Sequence, residues 1–74
     1  MEDKLIKIIN IIRANKGLSK IKQFSENDSL RDNYEFTSFD LAELTVRIED
    51  EFDIDIFEDG IVSTLGEIKA KLSK

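Results

Sequence analysis

The amino-acid sequence predicts an all-α fold: a small bundle of three main helices plus one short helix or turn, with a long first loop. Three observations point there. Three segments carry apolar residues at helical spacing, the Pro-free chain has start and stop signals at their ends, and no apolar-polar alternation runs long enough to build a sheet. With 74 residues, the chain is near the size at which one core suffices without staples, burying about 60 to 65% of its unfolded surface. It has no internal repeat or low-complexity run, so residues 1–74 read as a single domain.

The first helix is expected over residues 3–15. Leu5, Ile8, Ile9 and Ile12 share one face, Asp3 lies in the first turn, Arg13 and Lys16 lie late, as the helix dipole prefers, and Gly17 is a natural stop. Residues 18–36 lack sustained periodicity and hold Ser, Asn and Asp clusters. They read as a long connection packed over the core through Leu18, Ile21, Phe24, Leu30 and Phe36. Connections longer than about 15 residues are uncommon unless they have a function or carry short turns of their own.

The strongest helix is expected over residues 38–52. Leu41, Leu44, Ile48 and Phe52 fall in one narrow stripe, and burying each is worth roughly 1.5 to 3 kcal/mol. The "DIDIF" that follows alternates like a short strand, but a lone strand has nothing to pair with, so it reads as a loop entering a short helical turn near residues 57–62. Ser63 or Thr64 caps a last helix through about Leu72, with Leu65, Ile68 and Leu72 at i, i+3 and i+7 and Glu67 completing a capping-box pattern with Thr64.

Composition narrows the chemistry. The chain contains no Cys and no His, which removes the disulfide, the thiolate metal site, the usual general base and the usual zinc ligand. An ordinary hydrolase or zinc enzyme is therefore not expected. The net charge of -5 divides unevenly: residues 1–22 carry +4, residues 23–60 carry -11 and residues 61–74 carry +2. An acidic middle repels nucleic acid and attracts basic protein surfaces. No window approaches the roughly 20 apolar residues of a membrane span, and the first residues lack the form of a cleavable leader. The expectation is a cytoplasmic monomer with no nucleic-acid partner and no stable membrane insertion.

At the start of the second helix, "TSF" sets two hydroxyls side by side. With Thr37 as N-cap, its oxygen accepts from the N–H of Asp40, Asp40 lies in the first turn where an anion is favoured, and Phe36 can staple onto Leu41. Moving the cap to Ser38 makes both pairings poorer. Thr37 therefore caps, and Ser38 occupies the first helical position with its oxygen free. There the unpaired N–H groups and the positive end of the dipole favour an anion such as a phosphodiester. Without a neighbouring base Ser38 is a poor nucleophile, though it can accept a group installed by another enzyme. Opposite the core stripe lie Phe39 and Val46, with Ala42 to one side and Glu43 and Asp50 to the other, an apolar pair rimmed by carboxylates that suits docking.

The stretch "DSLRDNYEFTSFDLAELTVRIEDEFDIDI", residues 28–56, resembles acyl carrier proteins. Their pattern has an Asp-Ser-Leu motif opening the second helix, then an acidic-hydrophobic run ending in a Glu-Asp/Glu-Glu-Phe block with an Ile shortly after. This chain has Thr37-Ser38-Phe39, then Asp40, Glu43, Leu44, the block Glu49-Asp50-Glu51-Phe52, and Ile56. The resemblance implies a non-catalytic carrier with an acyl-carrier-like fold. Its motif serine, Ser38 here, would hold 4'-phosphopantetheine, derived from coenzyme A and installed by a phosphopantetheinyl transferase, with acyl intermediates of fatty acid, polyketide or related biosynthesis borne as thioesters. It further implies that Phe39, Asp40, Glu43, Val46, Glu49 and Asp50 meet basic docking surfaces on partner enzymes. Thr37 departs from the motif Asp, keeping the cap and removing a carboxylate. Phe39 departs from Leu, Arg47 puts a cation inside the acidic face, and the segment after Phe57 is short for a third helix.

Three other readings compete. A calcium loop in "DIDIFEDG" fails, because aligning Gly60 to loop position 6 puts Phe57 and Gly66 where oxygen ligands belong. The basic, apolar first helix, widened by Ile6 and Ile11, could lie on an anionic membrane, although bundle packing explains it more simply. The third is a carrier-like interaction module that is not loaded with phosphopantetheine; Thr37 favours it and Ser38 argues against it.

Overall fold

Three helices form where the apolar periodicity falls: α1 (Glu2–Asn15), α2 (Ser38–Phe52) and α3 (Leu65–Leu72). The computed structural model describes residues 2–23, 25–58, 60 and 62–73, and among these there is no strand, only an isolated antiparallel bridge between Ser29 and Thr64. Among the described residues no helix is long and apolar enough to cross a membrane. In place of a fourth helix the chain makes a turn at residues 56–58; Asp59 and Ile61 of the expected 57–62 segment, like Phe24 of the first loop, lie outside the described residues.

The core joins Leu5, Ile8, Ile9 and Ile12 of α1 to Leu44 and Ile48 of α2 and to Leu65, Ile68 and Leu72 of α3, with Leu30, Tyr34, Phe36, Ile56 and Val62 contributed by the connections. Leu41 and Phe52, expected in the core stripe, are only partly buried and pack against its edge. The stripe is about three turns long while the rest of the bundle covers its middle, so its two ends remain partly open.

α1 ends in a Schellman arrangement. Leu18 N–H donates to Arg13 O at 2.9 Å and Gly17 N–H to Ala14 O at 3.0 Å, with Gly17 at φ +77°; a glycine meets this left-handed requirement without a Cβ penalty. The spacing gives Arg13 and Lys16 only a dipole role, whereas the structure gives each a specific one. Arg13 is buried, donating from Nε to Ser19 O at 2.8 Å and from Nη1 to Tyr34 O at 2.9 Å. The Asn10 amide clamps the loop a second time, donating to Ile21 O at 3.1 Å and accepting from Ile21 N–H at 2.8 Å. The long loop is thus held by polar side chains of α1 as much as by its own apolar anchors.

The far end of that loop pairs with the segment entering α3. Leu30 N–H donates to Ser63 O at 2.9 Å, and Leu65 N–H to Asp28 O at 3.1 Å. Tyr34 O–H reaches Asp28 Oδ2 at 2.9 Å. Burial first, and this bond to a carboxylate second, push the Tyr34 phenol well above its ordinary pKa, so it stays neutral. Thr64 caps α3, accepting from Glu67 N–H, and the Glu67 carboxylate returns to Thr64 N–H at 3.0 Å. Hydrogen bonds from the Ser63 and Thr64 N–H groups hold that carboxyl below its ordinary pKa.

The first turn of α3 lies directly on the loop. Gly66 N–H donates to Glu26 O at 2.9 Å, and a Cβ built on Gly66 would also stand 2.9 Å from that backbone oxygen. Gly66→Ala is therefore expected to lower stability by about 1 to 3 kcal/mol by forcing α3 off the loop. Urea titration of the two proteins checks this, and equal midpoints would contradict it.

Candidate functional site

The loop enters α2 through a short, heavily bonded segment. Glu35 has a left-handed backbone, φ +61°, and Thr37 is extended at φ -85°, ψ 176°. Thr37 is the N-cap: Oγ1 accepts from Asp40 N–H at 3.2 Å, and the Asp40 carboxylate accepts from Thr37 N–H at 2.9 Å. This is a capping box with Asp in the third position, so two of the helix's otherwise orphaned donors are satisfied reciprocally.

The same carboxylate takes two further contacts, from Thr37 Oγ1–H at 3.0 Å and from Lys16 Nζ at 2.5 Å. Lys16 also donates to Glu35 O and lies 5.9 Å from the centre of the Phe36 ring. Asp40 is therefore only 7% exposed, and its expected place on the partner-docking face is corrected. Its first-turn position lets the short side chain fold back onto the cap, and the end of α1 closes over it. Desolvation alone would raise the Asp40 pKa, but the hydrogen bonds from Lys16 and Thr37 outweigh it and hold the carboxyl below its ordinary value.

Ser38, the first residue of α2, is exposed. The cap consumes the Thr37 hydroxyl and leaves that of Ser38 on the outside of the helix. Among the described residues one side chain reaches it: Arg31 donates from Nη2 to Ser38 Oγ at 2.9 Å. Arg31 stands on a turn whose backbone is fixed by Asn33 N–H to Ser29 O at 2.9 Å and Phe36 N–H to Leu30 O at 3.0 Å. A shallow cleft of about 320 Å³ opens beside it, lined by Ser29, Leu30, Arg31, Asp32, Leu41, Val62 and Ser63. This cleft accounts for the partial exposure of Leu41.

On the outer face of α2, Phe39 is 79% and Val46 68% exposed. The apolar pair expected for docking therefore shares one open face. Glu49 and Asp50 are exposed beside them. Glu43 is half-buried and holds Arg47 in an i, i+4 ion pair at 2.8 Å, which partly neutralises both. The site therefore combines an open hydroxyl, a guanidinium on it, two exposed apolar side chains and a carboxylate rim. Arg31 was legible in the sequence only as one of two cations between residues 23 and 60; nothing in the spacing signals that the turn brings it to Ser38.

A family model described as phosphopantetheine attachment site matches residues 7–72 of the chain, a span that includes α2 and the loop leading into it. No curated protein and no solved structure matches.

The Asp40 network has a pH signature. A carboxyl held below its ordinary pKa in the folded chain contributes stability that is full above the unfolded value, about 4, and is lost as pH falls through the folded value. Asp40→Asn is expected to be less stable than the wild type at neutral pH and to show a shallower loss of stability on acidification below about pH 4; Glu67 keeps a residual slope of the same sign. Thermal melts across that range check it, and parallel curves would contradict it.

Proposed function

The chain belongs to the phosphopantetheine-attachment family of carrier proteins, whose domains hold 4'-phosphopantetheine covalently, and from that premise we propose that it is an acyl carrier whose arm is attached at Ser38. The observation that carries this reading is the division of labour between two adjacent hydroxyls. Thr37 Oγ1 is bound into the cap, while Ser38 stands exposed at the first position of α2.

The residues present fit such a group. A phosphodiester needs an accessible primary hydroxyl with room beyond it. Ser38 is accessible, its preceding neighbour is a neutral threonine, and the Asp40 charge is turned inward onto Lys16. When bound, the arm supplies the thiol that a Cys-free chain lacks, on which acyl groups ride as thioesters.

The chain has no His or Cys to activate Ser38, so the base for attachment comes from a phosphopantetheinyl transferase, and the chemistry of the cargo belongs to partner enzymes. The chain's own part is presentation. The capping box fixes where α2 begins and hence where Ser38 points. Phe39 and Val46 offer apolar contact, and Glu43, Glu49 and Asp50 attract basic surfaces of partner enzymes of fatty acid, polyketide or related biosynthesis. The cleft between Leu30, Leu41 and Val62 gives an acyl chain partial apolar cover next to the attachment point. This role suits a cytoplasmic, monomeric, non-catalytic chain acting as one domain.

Incubation with coenzyme A and a phosphopantetheinyl transferase is expected to add the mass of one 4'-phosphopantetheine to the wild type and nothing to Ser38→Ala. An unmodified wild type would instead leave an unloaded interaction module. Asp50→Lys is expected to slow transfer to partner enzymes several-fold at low ionic strength and to leave the melting temperature nearly unchanged, because exposed charges affect encounter more than stability. The difference should vanish in about 1 M salt, where screening shortens to about 3 Å; equal rates at low salt would contradict it.

A further inference from the structure

We propose that Arg31 is a positioning residue for the phosphodiester at position 38, its guanidinium passing from the Ser38 hydroxyl to the phosphate and holding the first link of the arm against the 29–34 turn. This rests on Ser38 being the attachment residue and adds a partner for the group it carries.

The first argument is charge. Residues 23–60 hold two cations among thirteen anions. Arg47 is paired with Glu43. Among the described residues Arg31 forms no ion pair, and the hydrogen bond it makes is the one to Ser38 Oγ at 2.9 Å. An added phosphodiester brings a further negative charge into this acidic region, with exposed Asp32 and Glu35 nearby in the chain. Of the two cations in residues 23–60, the one that no carboxylate among the described residues engages stands on the atom where that charge is attached.

The second argument is geometry. Arginine presents planar N–H donors in a fixed fork that matches phosphate oxygens two at a time, which a lysine ammonium cannot do. Esterification of Ser38 would bond phosphorus to the oxygen that Nη2 now contacts, so the non-bridging oxygens would lie two bonds from it, within the sweep of the same fork. The backbone of the turn is already fixed on both sides of Arg31, through Leu30 N–H to Ser63 O at 2.9 Å and Asn33 N–H to Ser29 O at 2.9 Å. Only side-chain freedom remains to be lost when the pair forms.

The test compares apo and holo forms of the wild type, R31A and R31K, with mass spectrometry for attachment and the ³¹P resonance of the phosphodiester as readout. The holo wild type should show a resonance displaced from that of the urea-unfolded holo protein. R31A should move it to the unfolded position, R31K should give an intermediate shift, and about 1 M salt should move the wild type the same way. Apo R31A should melt with apo wild type, which separates this role from a structural one. If the apo R31A melt is lowered, the R31K resonance decides: displaced toward the unfolded value it upholds the proposal, and wild-type-like it overturns it. An arm attached at Ser38 whose resonance ignores both substitutions overturns the Arg31 proposal alone. A wild type that takes up no arm at Ser38 overturns the attachment reading and this proposal together.

Discussion

Everything the site offers depends on one carboxylate. Asp40 receives the Thr37 backbone N–H, the Thr37 hydroxyl and the Lys16 ammonium at once. Each contact comes from a different part of the architecture: the cap of α2, its side chain, and the end of α1. An ionised group this far from solvent is tolerated only when its lone pairs are filled, and filling them forces the loop's exit, the last turn of α1 and the first turn of α2 into one arrangement. Arg13 reinforces the same joint from the other side by holding Tyr34 O. The position of Ser38 follows from this joint rather than from any property of serine.

The uneven charge along the chain gains meaning from that joint. Three cations in and just after α1 are engaged, Arg13 inward on loop carbonyls, Lys16 inward on Glu35 O and Asp40, and Lys4 across the bundle on Glu51 at 3.1 Å. The acidic residues of α2 that remain outward, Glu49 and Asp50, lie beside Phe39 and Val46. One helix therefore separates its charges by depth, the carboxylate near its start serving the fold and those near its end facing outward.

The three helices, the Thr37 cap, the Ser63 or Thr64 start of the last helix and the burial of Leu5, Ile8, Ile9, Ile12, Leu44, Ile48, Leu65, Ile68 and Leu72 were legible in the sequence, because periodicity and capping are local and each signal lies within a few residues of the structure it specifies. What was not legible depends on contacts across the chain. The spacing places Asp40 in a favourable turn but cannot reveal that Lys16, twenty-four residues earlier, covers it and takes it off the outer face. Likewise Arg31 reads as a stray cation until the 29–34 turn is folded, and Asn10 as an odd polar residue in an apolar helix until Ile21 docks on it. The partial exposure of Leu41 escaped for a related reason: a helical wheel reports direction and says nothing of how far neighbouring elements extend along the axis.

The left-handed backbones at Glu35 and Asp53, φ +61° and +58°, lie just outside the two ends of α2. Neither residue is a glycine, so both conformations are maintained by their surroundings, and a helix cannot propagate through either. The fifteen residues of α2 that lie between them consequently form a ruler of about 22 Å whose length cannot drift. Along it Phe39 and Val46 are graduations about 10 Å apart, and any protein that grips both must carry hollows at that same interval.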